Sequence, residues 1–128
     1  LHDSSFSIIA AVHCGWRGVR DGILEKTISE LAAFVKPEEL TAYIGPTIQQ
    51  QYYEVGNEFL DYFPRHYFKE SGQKLYCNLN GRIEDIILQT GVGMIMNSRM
   101  GTYAVPEHFY SYRRDGATGR FCAFIGIV

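Results

Sequence analysis

The period of the apolar positions changes several times along the chain. Residues 6–12, FSIIAAV, form a short unbroken apolar run rich in branched side chains, which predicts a strand buried on both faces. Gly15 and Gly18 break it. In DGILEKTISELAAFV, residues 21–35, Leu24, Ile28, Leu31 and Val35 recur at helical spacing; the pattern predicts an amphipathic helix with Asp21 as N-cap and Pro37 as its stop. TAYIGP, residues 41–46, predicts a second strand ended by Gly-Pro. Residues 52–63 read as an extended stretch entering a short helix closed by Pro64, and residues 64–73 as an exposed loop. KLYCNL, residues 74–79, alternates like a strand. NGRIEDIILQTG, residues 80–91, sets Ile83, Ile86 and Ile87 on one helical face and Gly91 at the C-cap position. Residues 94–105 read as extended, 106–119 as a polar, turn-rich segment, and RFCAFIGIV, residues 120–128, as an apolar closing strand. This order predicts an α/β (α+β) fold, and no internal repeat or linker divides the chain, so residues 1–128 are expected to form one domain.

Composition narrows the function classes. An apolar fraction of 46% is enough for a packed core. The net charge of -2 argues against broad capture of nucleic acid or an anionic membrane. No apolar run reaches the roughly 18–20 residues of a membrane helix. The N-terminal stretch has no basic segment ahead of its apolar run, so no secretory signal is expected. Three widely spaced cysteines make a poor disulfide framework and predict a reducing compartment, the cytoplasm.

Two stretches concentrate chemistry. In AAVHCGWRG, residues 10–18, His13 stands where a strand hands over to a helix and suits a metal ligand or a hydrogen-bonded turn. Cys14 would point to the opposite face and reads equally as a small core residue. Trp16 suits stacking on a planar ligand, and Arg17 suits a phosphate or carboxylate; a packed indole and a surface ion pair are the plainer alternatives. In SYRRDGATGR, residues 111–120, Arg113 and Arg114 are adjacent, so in an extended hairpin one faces inward and the other outward. Glu54 could serve as an acid or base, or pair with an arginine.

Taken together and in order, these stretches resemble one family. AAVHCGWRG resembles AAVHAGWRG, IGPTIQQQYYEVGNEF resembles a segment ending in YEVG, and GTYAVPEHFYSYRRDGATGRFCAFIGIV resembles a C-terminal block built around SYRRDG. The chain is thereby identified as similar to the YfiH-like laccase-domain family, formerly labelled multicopper polyphenol oxidoreductases. The resemblance covers almost the whole chain. It implies a mixed β-sheet sandwich with helices packed outside. It implies zinc-dependent phosphorolysis of adenosine, inosine, guanosine and methylthioadenosine, together with adenosine deamination. It carries one zinc-ligand role, to His13. On chemical grounds Arg17 and one of Arg113 or Arg114, with Arg113 preferred, are the candidates for neutralising phosphate or developing charge; Trp16 or Tyr112 would line the purine pocket, and Arg114 is counted with them as substrate-binding.

The departures are as informative. The family's other two zinc ligands, a histidine and a cysteine, belong to segments with no counterpart in this sequence, which resembles the C-terminal half of a family member. Cys14 falls on a position that is usually alanine and inherits no ligand role. A catalytic zinc site needs about three protein ligands, so the chain by itself is expected to be weakly active or inactive. Its apolar edge at residues 6–12 predicts pairing with a second copy or a separate N-terminal half. A non-catalytic remnant or interaction module of the same fold is the alternative. Copper oxidation of phenols fits worse than zinc, because four scattered histidines do not form histidine-rich copper motifs.

Overall fold

The computed structural model describes residues 1–127. In chain order its regular elements are β1 (His2–Asp3), α1 (Trp16–Arg20), α2 (Ile23–Leu31), β2 (Leu40–Ile44), β3 (Glu54–Val55), β4 (Phe68–Ser71), β5 (Lys74–Cys77), α3 (Leu79–Gln89), β6 (Met94–Asn97) and α4 (Tyr112–Asp115), joined by short 3-10 turns. The result is a mixed α/β fold with two small sheets, in two compact units. The first unit comprises Leu1–Ile44, Ile83–Ser98 and the segment from Ala123; the second comprises Gly45–Arg82 and Arg99–Cys122.

In the first unit the sheet order is β1-β2-β6, with β1 antiparallel and β6 parallel to β2. The period-2 pattern of β2 buries Leu40, Ala42 and Ile44 and turns Tyr43 outward. Helix α3 behaves as its spacing predicts: Ile83, Ile86 and Ile87 are all buried, and Gly91 follows it at φ 79°. A second glycine is required for a different reason. A Cβ on Gly93 would lie 2.0 Å from the Glu38 carbonyl oxygen, so no side chain fits where β6 begins.

Helix α2 is shorter than predicted, and Asp21 is not its N-cap. The cap is Gly22 at φ 78°, with no side-chain bond, while Asp21 ends α1 and pairs with Arg20 at 2.7 Å. That left-handed backbone conformation favours glycine at the junction. The loop expected at residues 64–73 contains β4, which pairs antiparallel with β5; the second unit's sheet runs β3-β5-β4.

The largest departure lies at the two ends. Residues 6–12 do not form a buried strand. Phe6 sits at φ 54°, and the Asp3 carboxylate gathers the segment into a tight turn by accepting hydrogen bonds from the hydroxyls of Ser5 and Ser7 and from the Ile8 amide at 2.8 Å. Of a ladder there is the isolated bridge His2 to Ile9, with the amine of Leu1 donating to the Ala10 carbonyl and the Ala10 amide to the Leu1 carbonyl at 2.9 Å each, and the Asp3 amide to the Ile8 carbonyl at 3.2 Å. The expected closing strand is likewise absent from the described residues: 120–127 are exposed, Phe124 to 91%. Val128, the last residue of that prediction, lies outside the described residues. An apolar run specifies a buried strand only when neighbours also cover its faces; residues 6–12 have backbone bonds to Leu1–Asp3 but side chains that are exposed or half-buried, and residues 120–127 are exposed.

The Asp3 turn makes acid stability testable. Its hydrogen bonds hold the carboxyl well below its ordinary value of 3.8. A depressed folded-state pKa stabilises the fold above the unfolded value, and that contribution is lost as pH falls below about 4. We expect Asp3→Asn to flatten the pH dependence of the unfolding midpoint below about pH 4, followed by circular dichroism. An unchanged slope would remove this turn from the acid response.

Candidate functional site

The first motif lies in the first unit. His13 is exposed and precedes α1 by way of Gly15, whose φ of -68° and ψ of 157° are extended. The imidazole folds over that glycine: a Cβ there would meet His13 Nε2 at 3.0 Å. The ring therefore stands at the surface rather than in the core. The Trp16 indole carries two cations of its own helix, with the Arg17 guanidinium carbon 4.3 Å and that of Arg20 5.4 Å from its ring centroid. The structure thus brings Trp16 and Arg17 together. Cys14 is half-buried; its Sγ lies 3.7 Å from the Val12 carbonyl oxygen, and burial pushes the thiol up to about 11. It is a neutral thiol at neutral pH.

The second motif lies in the second unit and is not an extended hairpin. Tyr112–Asp115 form the helical turn α4, in which the amides of Arg114 and Asp115 donate to the Ser111 carbonyl. The two adjacent arginines diverge all the same. Arg114 uses all five of its N–H donors within the chain: Nη1 donates to the carbonyls of Thr102 (3.2 Å) and Tyr103 (2.8 Å), Nη2 to that of Phe109 (2.9 Å), and Nε and Nη2 to the Asp115 carboxylate at 2.7 Å each. That pairing draws the Asp115 carboxyl below and the Arg114 guanidinium above their ordinary values. Arg114, expected to touch substrate, instead ties residues 102–115 together, because a hydrogen-bonded fork has no donor left for a ligand.

Arg113 makes one such bond, from Nη1 to the Glu54 carbonyl at 2.5 Å, and its guanidinium carbon lies 5.3 Å from the Tyr53 ring centroid. It lines an open cleft of about 590 Å³ with Tyr52, Tyr76, Tyr103 and Glu54. The rings of Tyr52 and Tyr103 stack at 4.4 Å and 13°. The Glu54 carboxylate accepts a 2.8 Å bond from Lys74 Nζ, an ion pair that raises the lysine's pKa. Tyr112 is 70% exposed, with the Arg120 guanidinium 6.0 Å from its ring. Sequence reasoning missed Tyr52, Tyr76 and Tyr103. They fall in three separate elements, and the one available signal, the tyrosine-rich stretch beside YEVG, says nothing of a partner fifty residues away.

The fit to zinc is poor within this chain. Among the described residues no three His, Cys, Asp or Glu side chains converge on a point where a metal could be held. His13 offers one donor, and Cys14 is a half-buried thiol bonded to a backbone carbonyl.

The family model described as multi-copper polyphenol oxidoreductase laccase matches residues 1–128, and the chain belongs to this family. It is 36% identical over 126 residues to the purine nucleoside phosphorylase YfiH of Shigella flexneri, and 35% identical to that of Escherichia coli (strain K12). Each match covers 94% of this chain and 51% of the relative. The crystal structure of a Neisseria meningitidis protein superposes with a TM-score of 0.83 at 36% identity, over 92% of this chain and 51% of that one. The chain therefore spans about half the length of the curated relatives it matches.

Proposed function

We propose that this chain is one part of a purine nucleoside phosphorylase. The observation that carries the reading is the 36% identity to the Shigella flexneri phosphorylase, which runs through 94% of the chain and so includes both motifs. In phosphorolysis a phosphate oxygen forms a bond to the sugar C1′ while the C1′–N9 bond breaks. Its electron pair leaves with the purine, which takes up a proton. The reaction needs cations beside the phosphate and an aromatic wall beside the base. Within the first unit Arg17 is the proposed phosphate contact and Trp16 the proposed purine contact; within the second unit these roles are proposed for Arg113 and Tyr112, and Arg114 holds the turn that presents Arg113. Adenosine, inosine, guanosine and methylthioadenosine are the proposed substrates, with adenosine deamination as a second activity.

His13 is proposed as one zinc ligand. Because the described residues supply no more than this one donor, the other ligands would come from further polypeptide. A second copy or a separate N-terminal half is the proposed partner. Three free cysteines support a cytoplasmic location.

The test is phosphate-dependent release of hypoxanthine from inosine by the chain combined with the N-terminal polypeptide proposed to supply the other ligands, with zinc content measured in parallel. We expect His13→Ala to lower both the zinc bound and the rate, the rate by about a hundredfold or more. Equal rates for the two proteins would remove His13 from the reaction, and well-folded protein without activity or zinc would favour a non-catalytic module.

A further inference from the structure

The two small sheets treat their open faces differently. In the second unit β5 buries Leu75 and Cys77, and its other face carries Lys74 and Tyr76 with their cross-strand partners Ser71, Lys69 and Glu54. Charged and hydroxyl side chains of that kind suit a face in water. In the first unit β2 buries Leu40, Ala42 and Ile44, and its other face carries Thr41 and Tyr43. The parallel register sets Met94 beside Thr41 and Met96 beside Tyr43, and the antiparallel register sets His2 beside Thr41 on the far side. The Phe6 ring stacks on His2 with centroids 4.6 Å apart and planes 12° from parallel, which extends the row. Phe6, Tyr43, Met94 and Met96 are each more than half exposed. No Lys, Arg, Asp or Glu interrupts these positions.

A row of this composition is built to be covered. Parallel strand pairs ordinarily have layers on both faces, and the unbroken apolar run Met94–Met96 is what a strand with two covers looks like. Methionine and tyrosine are also favoured where protein surfaces meet, methionine because its flexible thioether fits irregular neighbours. The relatives carry polypeptide that could form the second layer. The Neisseria meningitidis structure superposes on this fold with 51% of its chain, and the rest of its length lies outside the match.

We propose that the face formed by Phe6, His2, Tyr43, Met94 and Met96 docks the polypeptide that lies outside the matched half of the relatives, through an apolar layer of that polypeptide. The identity of the occupant rests on the phosphorylase reading above, while the apolar face does not.

The experiment maps methionine oxidation by hydrogen peroxide with mass spectrometry, timed against an added methionine peptide. The 128-residue chain alone is compared with a chimera in which it replaces the segment it matches in the Shigella flexneri phosphorylase. In the chain alone Met94 and Met96 are expected to oxidise at least as fast as Met100, which is 40% exposed and lies in the second unit. In the chimera their oxidation is expected to slow about tenfold or more, because the reaction follows exposure of the thioether. Tyr43→Lys puts a charge into the face. It should leave the chain alone folded, by circular dichroism, and return Met94 and Met96 of the chimera to the rates of the chain alone. Unchanged oxidation of both methionines in a folded chimera would overturn the proposal. So would protection that appears in the chain alone as its concentration rises, which assigns the face to a second copy. A chimera that does not fold is replaced by co-expression of the two halves, and failure to recover a complex there overturns the proposal as well. Protection without phosphorolysis leaves the docking face standing and removes the enzymatic reading; phosphorolysis with both methionines unprotected does the reverse.

Discussion

Ile86→Ala is expected to lower the unfolding free energy by about 2–5 kcal/mol, the range for emptying a buried aliphatic site. Ile86 is 1% exposed and lies on the buried face of α3 with Ile83 and Ile87. Truncation removes three carbons from a close-packed interior, and the loss has two parts: transfer of that surface from water, and the cavity left where neighbours cannot fully collapse. Leu88, next along the same helix, is the control. It is 60% exposed, so Leu88→Ala should change stability by about 0.5 kcal/mol or less. Both are read from the midpoint and slope of urea unfolding. Similar effects at the two positions would mean that α3 does not bury the face described.

Arg114→Met is expected to loosen the segment that presents Arg113. It leaves the carbonyls of Thr102, Tyr103 and Phe109 and the Asp115 carboxylate without the donors they share. The methionine keeps much of the apolar stem, so the change isolates the hydrogen bonds rather than the packing. Removing one partner strands the others, which costs more than the net worth of the bonds. The amides of 109–116 should exchange about ten- to a hundredfold faster, with exchange within α3 unaltered. Protection at wild-type levels would show that other contacts hold this turn. Arg114→Lys should rescue little, since an ammonium cannot reproduce a five-donor planar fork.

Much of this was legible in the chain, and what was not has identifiable causes. Helix α3 was readable from Ile83, Ile86, Ile87 and Gly91 because helical periodicity and a glycine cap are local signals. Strand β2 was readable from its flanking Gly-Pro. The run at 6–12 misled because apolar composition states a wish for burial, not the presence of elements to cover it, and the Asp3 side chain and the Leu1–Asp3 backbone supply a closer alternative for its hydrogen bonds. Asp21 misled because capping competence does not fix which of two abutting helix ends a residue serves. The adjacent arginines were expected to diverge, and they do, but as neighbours on a helical turn rather than on a strand.

The amino-acid sequence by itself determined the family, the helical face of α3, the strand β2 and the two motifs that hold His13, Trp16, Arg17, Arg113 and Arg114, since each is written in short-range order along the chain. Only the tertiary structure decided which arginine faces outward, that Tyr52 and Tyr103 stack beside it, and that residues 6–12 turn back on Asp3. These outcomes depend on contacts between residues distant in sequence, or on competition between local hydrogen bonds and an unpaired sheet edge, and neither leaves a periodic trace.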